Sequence, residues 1–126
     1  MPKRTFAIAS VIGLVFATGA AAASDDDEIR NGGTCTESSS SKIKVKPDDG
    51  RIEVEFEVDQ NKAGDKWKVK IRDNGEVVVK KTMTTRGQSG SFSLERKIAD
   101  QTGSDTIVAS AKNKSTEERC TASATL

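Results

Sequence analysis

The chain of 126 residues contains no histidine, no tyrosine and only two cysteines, and aromatic residues make up 4% of it. Without histidine, serine–histidine and cysteine–histidine catalysis are excluded, and a favoured zinc ligand is missing. Phe56 and Trp67 point inward in the predicted strands, so no exposed aromatic stripe is available for sugars or nucleic-acid bases. We therefore predict a protein that is not an enzyme, with no cofactor, no metal centre and no nucleic-acid partner.

An excess of charge of one sign is also lacking, since 20 basic residues balance 19 acidic ones. The one long apolar run spans residues 6–15, after Lys3 and Arg4 and before a stretch of small residues that ends at Ala23. A charged start, an apolar segment too short for a bilayer and a small-residue cleavage site are typical of a signal peptide, with a buried helix as the alternative. We predict a signal peptide over residues 1–23 and a secreted product that is not inserted in a membrane.

Cys35 and Cys120 lie near the two ends of the predicted mature chain. In an oxidising compartment an even number of cysteines most simply forms intramolecular disulfides, and here that means one bond between the terminal strands. Two free thiols, or an intermolecular bridge that gives a dimer, are the alternatives. We expect the intramolecular bond and a monomer.

Residues 24–34, with the sequence SDDDEIRNGGT, are acidic and rich in glycine, and we predict a flexible leader there. Beyond Cys35 apolar and polar residues alternate with period two, which is typical of strands with one buried face. Asn74 and Gly75 provide the positive-φ positions of a tight hairpin turn. The following strand is predicted to place Val77 and Val79 on one face. About seven short strands are expected, at residues 42–46, 51–59, 66–72, 76–82, around 92–94, 106–112 and 120–126.

Seven short strands without a convincing helix indicate an antiparallel sandwich. In its last third, residues 100–113 (DQTGSDTIVASAKN) resemble the corner and penultimate strand of the immunoglobulin-like superfamily. In that resemblance Trp67 matches the tryptophan of the third strand, while Ile107 and Ala109 replace the corner tyrosine and the second inter-sheet cysteine. The chain also resembles small exported bacterial proteins without an assigned activity. The resemblance implies an immunoglobulin-like sandwich over residues 35–126 and, by itself, no function.

Two charged stripes alternate with the apolar residues of the second and third strands. The second strand carries Glu53, Glu55 and Glu57, and the third carries four cations, Lys66, Lys68, Lys70 and Arg72. In an immunoglobulin-like arrangement these strands belong to different sheets, which would make the domain electrically two-faced. If they instead pair as a hairpin, the stripes neutralise each other. A basic face would fit an acidic envelope polymer or head-to-tail association, although charged strand faces are also common for solubility alone.

The sequence contains candidates for three other kinds of site. Asp59, Asn61 and Gly64 open like a calcium loop, but Ala63 and Lys70 occupy later ligand positions, so an EF-hand is rejected. Weak calcium binding is left open for two aspartate groups, namely Asp25, Asp26 and Asp27, and Asp48, Asp49 and Asp59. The sequon that begins at Asn113 is interpreted as a turn. A carboxylate-dependent enzyme would use residues such as Asp48, Asp49, Glu53 or Asp59.

The sequence therefore favours an exported, non-enzymatic binding or interaction module whose partner is a protein or an envelope polymer. The candidate binding face is the stripe Lys66, Lys68, Lys70 and Arg72, and the loops 60–65, 84–90 and 113–116 are where a partner would also be met. The alternative from another class is a small-ligand carrier that uses an apolar cleft of the sandwich.

Overall fold

The computed structural model describes residues 27–126, so the predicted signal peptide lies outside the described residues. These residues form nine strands and no helix, and accordingly none of them belongs to a helix that could cross a membrane. The strands are β1 (Ile29–Gly32), β2 (Thr34–Cys35), β3 (Ser40–Asp48), β4 (Arg51–Asp59), β5 (Lys66–Asp73), β6 (Glu76–Thr84), β7 (Ser91–Ala99), β8 (Thr106–Asn113) and β9 (Arg119–Thr125).

The strands make two antiparallel sheets. The four-stranded sheet has the order β1-β3-β4-β7, and the five-stranded sheet has the order β2-β9-β8-β5-β6. Strands β4 and β5, which carry the acidic and the basic stripe, belong to different sheets. The alternative that they pair as a hairpin is therefore wrong.

Inward-facing side chains of both sheets form one hydrophobic core. Trp67 of the five-stranded sheet lies with its ring centre 6.1 Å from that of Phe92 in the four-stranded sheet, and Phe56 contacts the same ring edge-on. Period-two alternation in β4, β5 and β8 places an apolar side chain at every second position, apart from Asp73 and Asn113 at the ends of β5 and β8, and these alternate positions are the buried ones. The predicted inward phase of these strands is confirmed.

The count of seven strands is wrong, because the structure has nine. The two additional strands, β1 and β2, lie in and directly after the segment 24–34 expected to be a flexible leader. Strand β1 pairs with β3 from Ile29 to Gly32, and β2 pairs with β9. The chain changes sheets at Gly33, where a Cβ atom would lie 2.2 Å from the carbonyl oxygen of Thr121. Gly33 is thus needed for a close backbone crossing, whereas in the sequence it indicated flexibility.

The prediction that Val77 and Val79 share a face is also wrong. A register shift between Ile71 and Arg72 pairs Val79 with Ile71, which faces inward, and Val77 with Arg72, which faces outward. Val77 and Val78 are consequently the two large hydrophobic side chains exposed in the described part of the chain. The turn at Asn74 and Gly75 is confirmed, since both residues have positive φ.

The predicted disulfide is confirmed as a bond between the terminal strands. Cys35 of β2 and Cys120 of β9 are directly opposite each other, with Cα atoms 4.1 Å apart, and they are bonded through their sulfurs. Both residues belong to the five-stranded sheet. The bond therefore joins two neighbouring strands of one sheet and does not connect the two sheets.

Candidate functional site

The predicted basic stripe lies along the outward face of β5. Lys66, Lys68 and Lys70 are exposed and Arg72 is partly exposed, while the residues between them are buried. Among residues 27–126, none of these four side chains forms an ion pair or a hydrogen bond. Four cations thus remain without a compensating acid on a central strand of the five-stranded sheet.

Strand pairing brings further cations to the same face. Lys80 of β6 is opposite Lys70, Lys112 of β8 is opposite Lys68, and Arg119 of β9 is opposite Lys112. No outward position of β5, β6, β8 or β9 carries an acidic residue, since the others are Ser, Thr and Val. We call this surface the basic face, and it consists of Lys66, Lys68, Lys70, Arg72, Lys80, Lys112 and Arg119.

The four-stranded sheet has the opposite arrangement on its outward face. Lysines of β3 lie opposite the acidic stripe of β4, and they form three ion pairs, Lys42–Glu57 at 3.4 Å, Lys44–Glu55 at 3.0 Å and Lys46–Glu53 at 3.8 Å. The hydrogen bond from Lys44 holds the pKa of Glu55 below its ordinary value. Lys97 of β7 adds a pair with Asp48 at 3.1 Å.

The expected two-faced charge is therefore only partly correct. The acidic stripe of β4 is paired with the lysines of β3, because these two strands are neighbours in the sheet. The molecule has one basic face and one face of mixed charge, on which the lysines of β3 and Lys97 are paired and Glu95 lies beside Glu53. It has no acidic face on the described sheets that could receive the basic face of a second copy, so head-to-tail association is not favoured.

The three loops expected to meet a partner lie together at one end of the molecule. The amide of Gly64 donates to the carbonyl oxygen of Thr85 at 2.8 Å, and that of Gln60 donates to Gly90 at 3.0 Å. The amide of Lys114 donates to Lys66 at 2.8 Å and attaches the third loop. These loops are connected by main-chain hydrogen bonds.

The carboxylate of Asp65 connects two of these loops through side-chain hydrogen bonds. It accepts hydrogen bonds from the Gln60 side chain at 2.7 Å and from the buried Asn113 side chain at 3.1 Å. These hydrogen bonds hold the pKa of Asp65 below its ordinary value. The Asn113 side-chain oxygen also accepts from the amides of Ser115 and Thr116. The asparagine of the sequon is thus buried within the turn, as its interpretation as a turn residue requires.

The opposite end contains a second buried aspartate with different surroundings. Asp73 is 1% exposed, and neither of its carboxylate oxygens has a hydrogen-bond donor within the described chain. Burial, followed by the neighbouring carboxyl group of Asp105, raises the pKa of Asp73 to about 7. Asp105 is also 1% exposed, and it in turn raises the pKa of Asp100. A proton shared between Asp73 and Asp105 would satisfy both groups.

The other candidate ligands and catalytic carboxylates do not come together. Asp48 is the last residue of β3 and Asp49 lies in the turn that leads to β4, whereas Asp59 is at the far end of β4, about 26 Å from the start of that strand. The aspartate cluster proposed for calcium is therefore not formed by these three residues, and the other group, Asp25, Asp26 and Asp27, lies mostly outside the described residues.

Glu118 lies beside the two cysteines, but their sulfurs are bonded to each other. Its carboxylate accepts hydrogen bonds from Ser39 and from the amide of Glu37. These donors make the buried carboxylate part of the structure near the sheet crossing, and they leave the three residues without a free ligand set.

Sequence reasoning found the stripe on β5 but missed Lys80, Lys112 and Arg119. The alternation of apolar residues in β8 predicts that Lys112 faces outward. Its position beside Lys68, and that of Arg119 beside Lys112, depend on the register between strands, which the sequence does not show. No family of known proteins, no curated protein and no solved structure matches this chain.

Proposed function

We propose that this protein is an exported, non-enzymatic binding module that binds a polyanionic envelope polymer on its basic face. The observation that carries the proposal is the difference between the faces. Within the part of the chain that the structure describes, the seven cations of the basic face have no acidic neighbour on that face, while the cations of β3 are paired. Unpaired cations on one surface repel each other, and this repulsion raises the free energy of the folded protein. A bound polyanion neutralises the cations and removes the repulsion, so such a surface attracts polyanions.

An immunoglobulin-like sandwich is the fold that we propose for the module. In such domains strands A, B and E share one sheet and strands C, F and G share the other. The pairing of β3, β4 and β7 in one sheet, and of β5, β8 and β9 in the other, supports this assignment. Strand β6 departs from the constant-type arrangement. It pairs with β5 in the five-stranded sheet, whereas in that arrangement the strand that follows C is strand D, which belongs to the sheet of A, B and E.

Export is supported by the disulfide as well as by the predicted signal peptide. Disulfide bonds form and persist in oxidising compartments outside the cytosol. The bond between Cys35 and Cys120 closes a segment of 85 residues and includes nearly the whole described chain. An envelope or extracellular location also places the basic face near acidic polymers.

The test compares two double variants that change net charge equally. Lys68→Gln with Lys70→Gln removes two unpaired cations from the basic face, and Lys42→Gln with Lys44→Gln removes two paired cations from the other face. Affinity for long-chain polyphosphate and for polyglutamate is measured by titration at low and moderate salt. We expect the first variant to bind roughly tenfold more weakly or worse and the second to change less than about threefold.

Equal losses in the two variants would show that bulk charge, and not the basic face, controls binding. A wild-type protein that binds neither polymer at low salt would reject the proposal altogether. Trp67 fluorescence of each variant serves as the control for folding, because this side chain is fully buried between the sheets.

A further inference from the structure

A shallow recess lies within the basic face, at the centre of the five-stranded sheet. Its volume is about 290 Å³, and Ser110 of β8 lies on its floor. Strand pairing places Ser110 between Lys70 of β5 and Thr121 of β9. The recess exists because Ser110 and Thr121 are short, whereas the residues around them are long.

The cations converge on this recess from three strands. Lys68, Lys70 and Arg72 border it on β5, Lys112 borders it on β8, and Arg119 borders it on β9. Neighbouring strands are about 4.8 Å apart and alternate residues of one strand about 7 Å apart, so each of these flexible side chains can reach a group above Ser110. The lining of the recess contains no acidic residue.

Two hydroxyl groups in the recess are also unused. Neither Ser110 nor Thr121 makes a side-chain hydrogen bond within residues 27–126. On the other sheet, the outward Ser93 instead donates to Glu55 at 3.0 Å, within the network of paired charges. The recess thus provides free hydroxyl donors next to unpaired cations, a combination that the four-stranded sheet lacks at Ser93.

We propose that this recess binds one tetrahedral oxyanion, a phosphate group, of the polyanion. This proposal rests on the proposed function and specifies its ligand. A phosphate group has oxygens directed along several axes, so it can accept hydrogen bonds from hydroxyls below it and from lysine and arginine side chains around it. The two oxygens of a carboxylate lie in one plane, so a carboxylate matches donors that surround it in three dimensions less well than a tetrahedral phosphate does. Carboxylate polymers therefore gain less from the recess than phosphate polymers do.

The test fills the recess without changing charge. Ser110→Leu places a larger apolar side chain on the floor, and Ser123→Leu is the matched control on the outward face of β9, beyond the recess. Both are measured against long-chain polyphosphate, tripolyphosphate and polyglutamate. We expect Ser110→Leu to weaken polyphosphate binding roughly tenfold, to leave polyglutamate binding within about threefold, and Ser123→Leu to leave both within about threefold.

Unchanged polyphosphate affinity in Ser110→Leu, or an equal loss for polyphosphate and polyglutamate, would overturn the recess as a phosphate site. Either result leaves the basic face standing if Lys68→Gln with Lys70→Gln still loses both polymers. If the Leu variant does not fold, Ser110→Val with Ser123→Val as its control makes the same test, because valine removes the hydroxyl and narrows the recess without changing charge and is well tolerated in strands. Tighter binding of the long chain than of tripolyphosphate assigns the phosphate to a polymer, and equal binding assigns it to a free oxyanion.

Discussion

On the four-stranded sheet Lys44 is opposite Glu55, whereas on the five-stranded sheet Lys70 is opposite Lys80. Both sheets come from the same kind of sequence, in which charged and apolar residues alternate. Their outer faces differ because strand order decides which charged stripes become neighbours. The neighbouring strand therefore decides whether a charged stripe is paired. Only a stripe without opposite charges on the neighbouring strands is a candidate for binding.

The sheets also differ in how their N-terminal strands are held. Strand β1 is held in the four-stranded sheet by its pairing with β3, while β2 is bonded to β9 by the disulfide. Replacing Cys35 and Cys120 with alanine should lower the free energy of unfolding by about 4 to 5 kcal/mol, since a loop of 85 residues is no longer closed in the unfolded chain. Urea unfolding monitored by Trp67 fluorescence measures the loss.

The matched control is Thr34→Ala with Thr121→Ala, the neighbouring cross-strand pair of the same two strands. It should cost less than about 1 kcal/mol, because it removes contacts without opening the loop. A disulfide variant that loses no more than this control would contradict the role given to the bond.

The carboxylates at the two ends of β5 provide the next contrast, since Asp65 accepts hydrogen bonds whereas Asp73 has no donor among residues 27–126. The pKa of Asp73 is raised to about 7 in the folded state, compared with about 3.9 in an unfolded chain. Between these values the folded protein keeps a proton that the unfolded protein has lost. The free energy of unfolding should therefore decrease as the pH rises from about 4 to 7, by roughly 4 kcal/mol at most from this group.

Asp73→Asn should remove that part of the pH dependence and stabilise the protein at pH 8, because the amide stays neutral and can donate to Asp105. Asp65→Asn should have the opposite sign at pH 8, since it removes a carboxylate whose pKa is lowered by its hydrogen bonds. The contribution of Asp65 is present above its unfolded pKa and is lost on acidification. Unfolding curves between pH 4 and 8 test both, and a parallel pH dependence in wild type and Asp73→Asn would reject the account.

The smallest effect is expected on the paired face. Glu55→Gln with Glu57→Gln should cost only about 1 kcal/mol or less, because ion pairs near the surface contribute little. Lys42 and Lys44 then lose their ion-pair partners and become available to a polyanion. Polyphosphate affinity should therefore increase by roughly two- to fivefold. Lys42→Gln with Lys44→Gln breaks the same pairs without releasing cations and should show no increase. Unchanged affinity in the glutamate variant would mean that unpairing charges does not create a binding face.

Much of the fold could be predicted from signals that are local in the sequence or lie in its composition. The inward residues of β4, β5 and β8, the turn at Asn74 and the disulfide are all local or compositional signals, and the structure confirms them. Strand β1 was missed because its polar, glycine-containing sequence has no period, and its pairing depends on β3. The register shift at Val77 was missed because a single extra residue in one strand does not alter the apolar pattern.

Only part of the candidate site could be predicted, because the rest depends on which strands are neighbours. The stripe on β5 is continuous in sequence and could be found by its period. Lys80, Lys112 and Arg119 join it only through strand order, and the paired state of the acidic stripe depends on β3 being the neighbour of β4. The buried pair Asp73 and Asp105 was missed because residues 32 positions apart meet through pairing between β5 and β8.

The central claim is that unpaired cations make the five-stranded sheet the binding surface. It is tested most directly by NMR titration of the ¹⁵N-labelled protein with long-chain polyphosphate. We predict amide shifts concentrated at Lys68, Lys70, Ser110 and Lys112, with the amides of Lys44 and Glu55 unchanged. Shifts of similar size on both sheets, or shifts confined to the loops around Asp65, would contradict the claim.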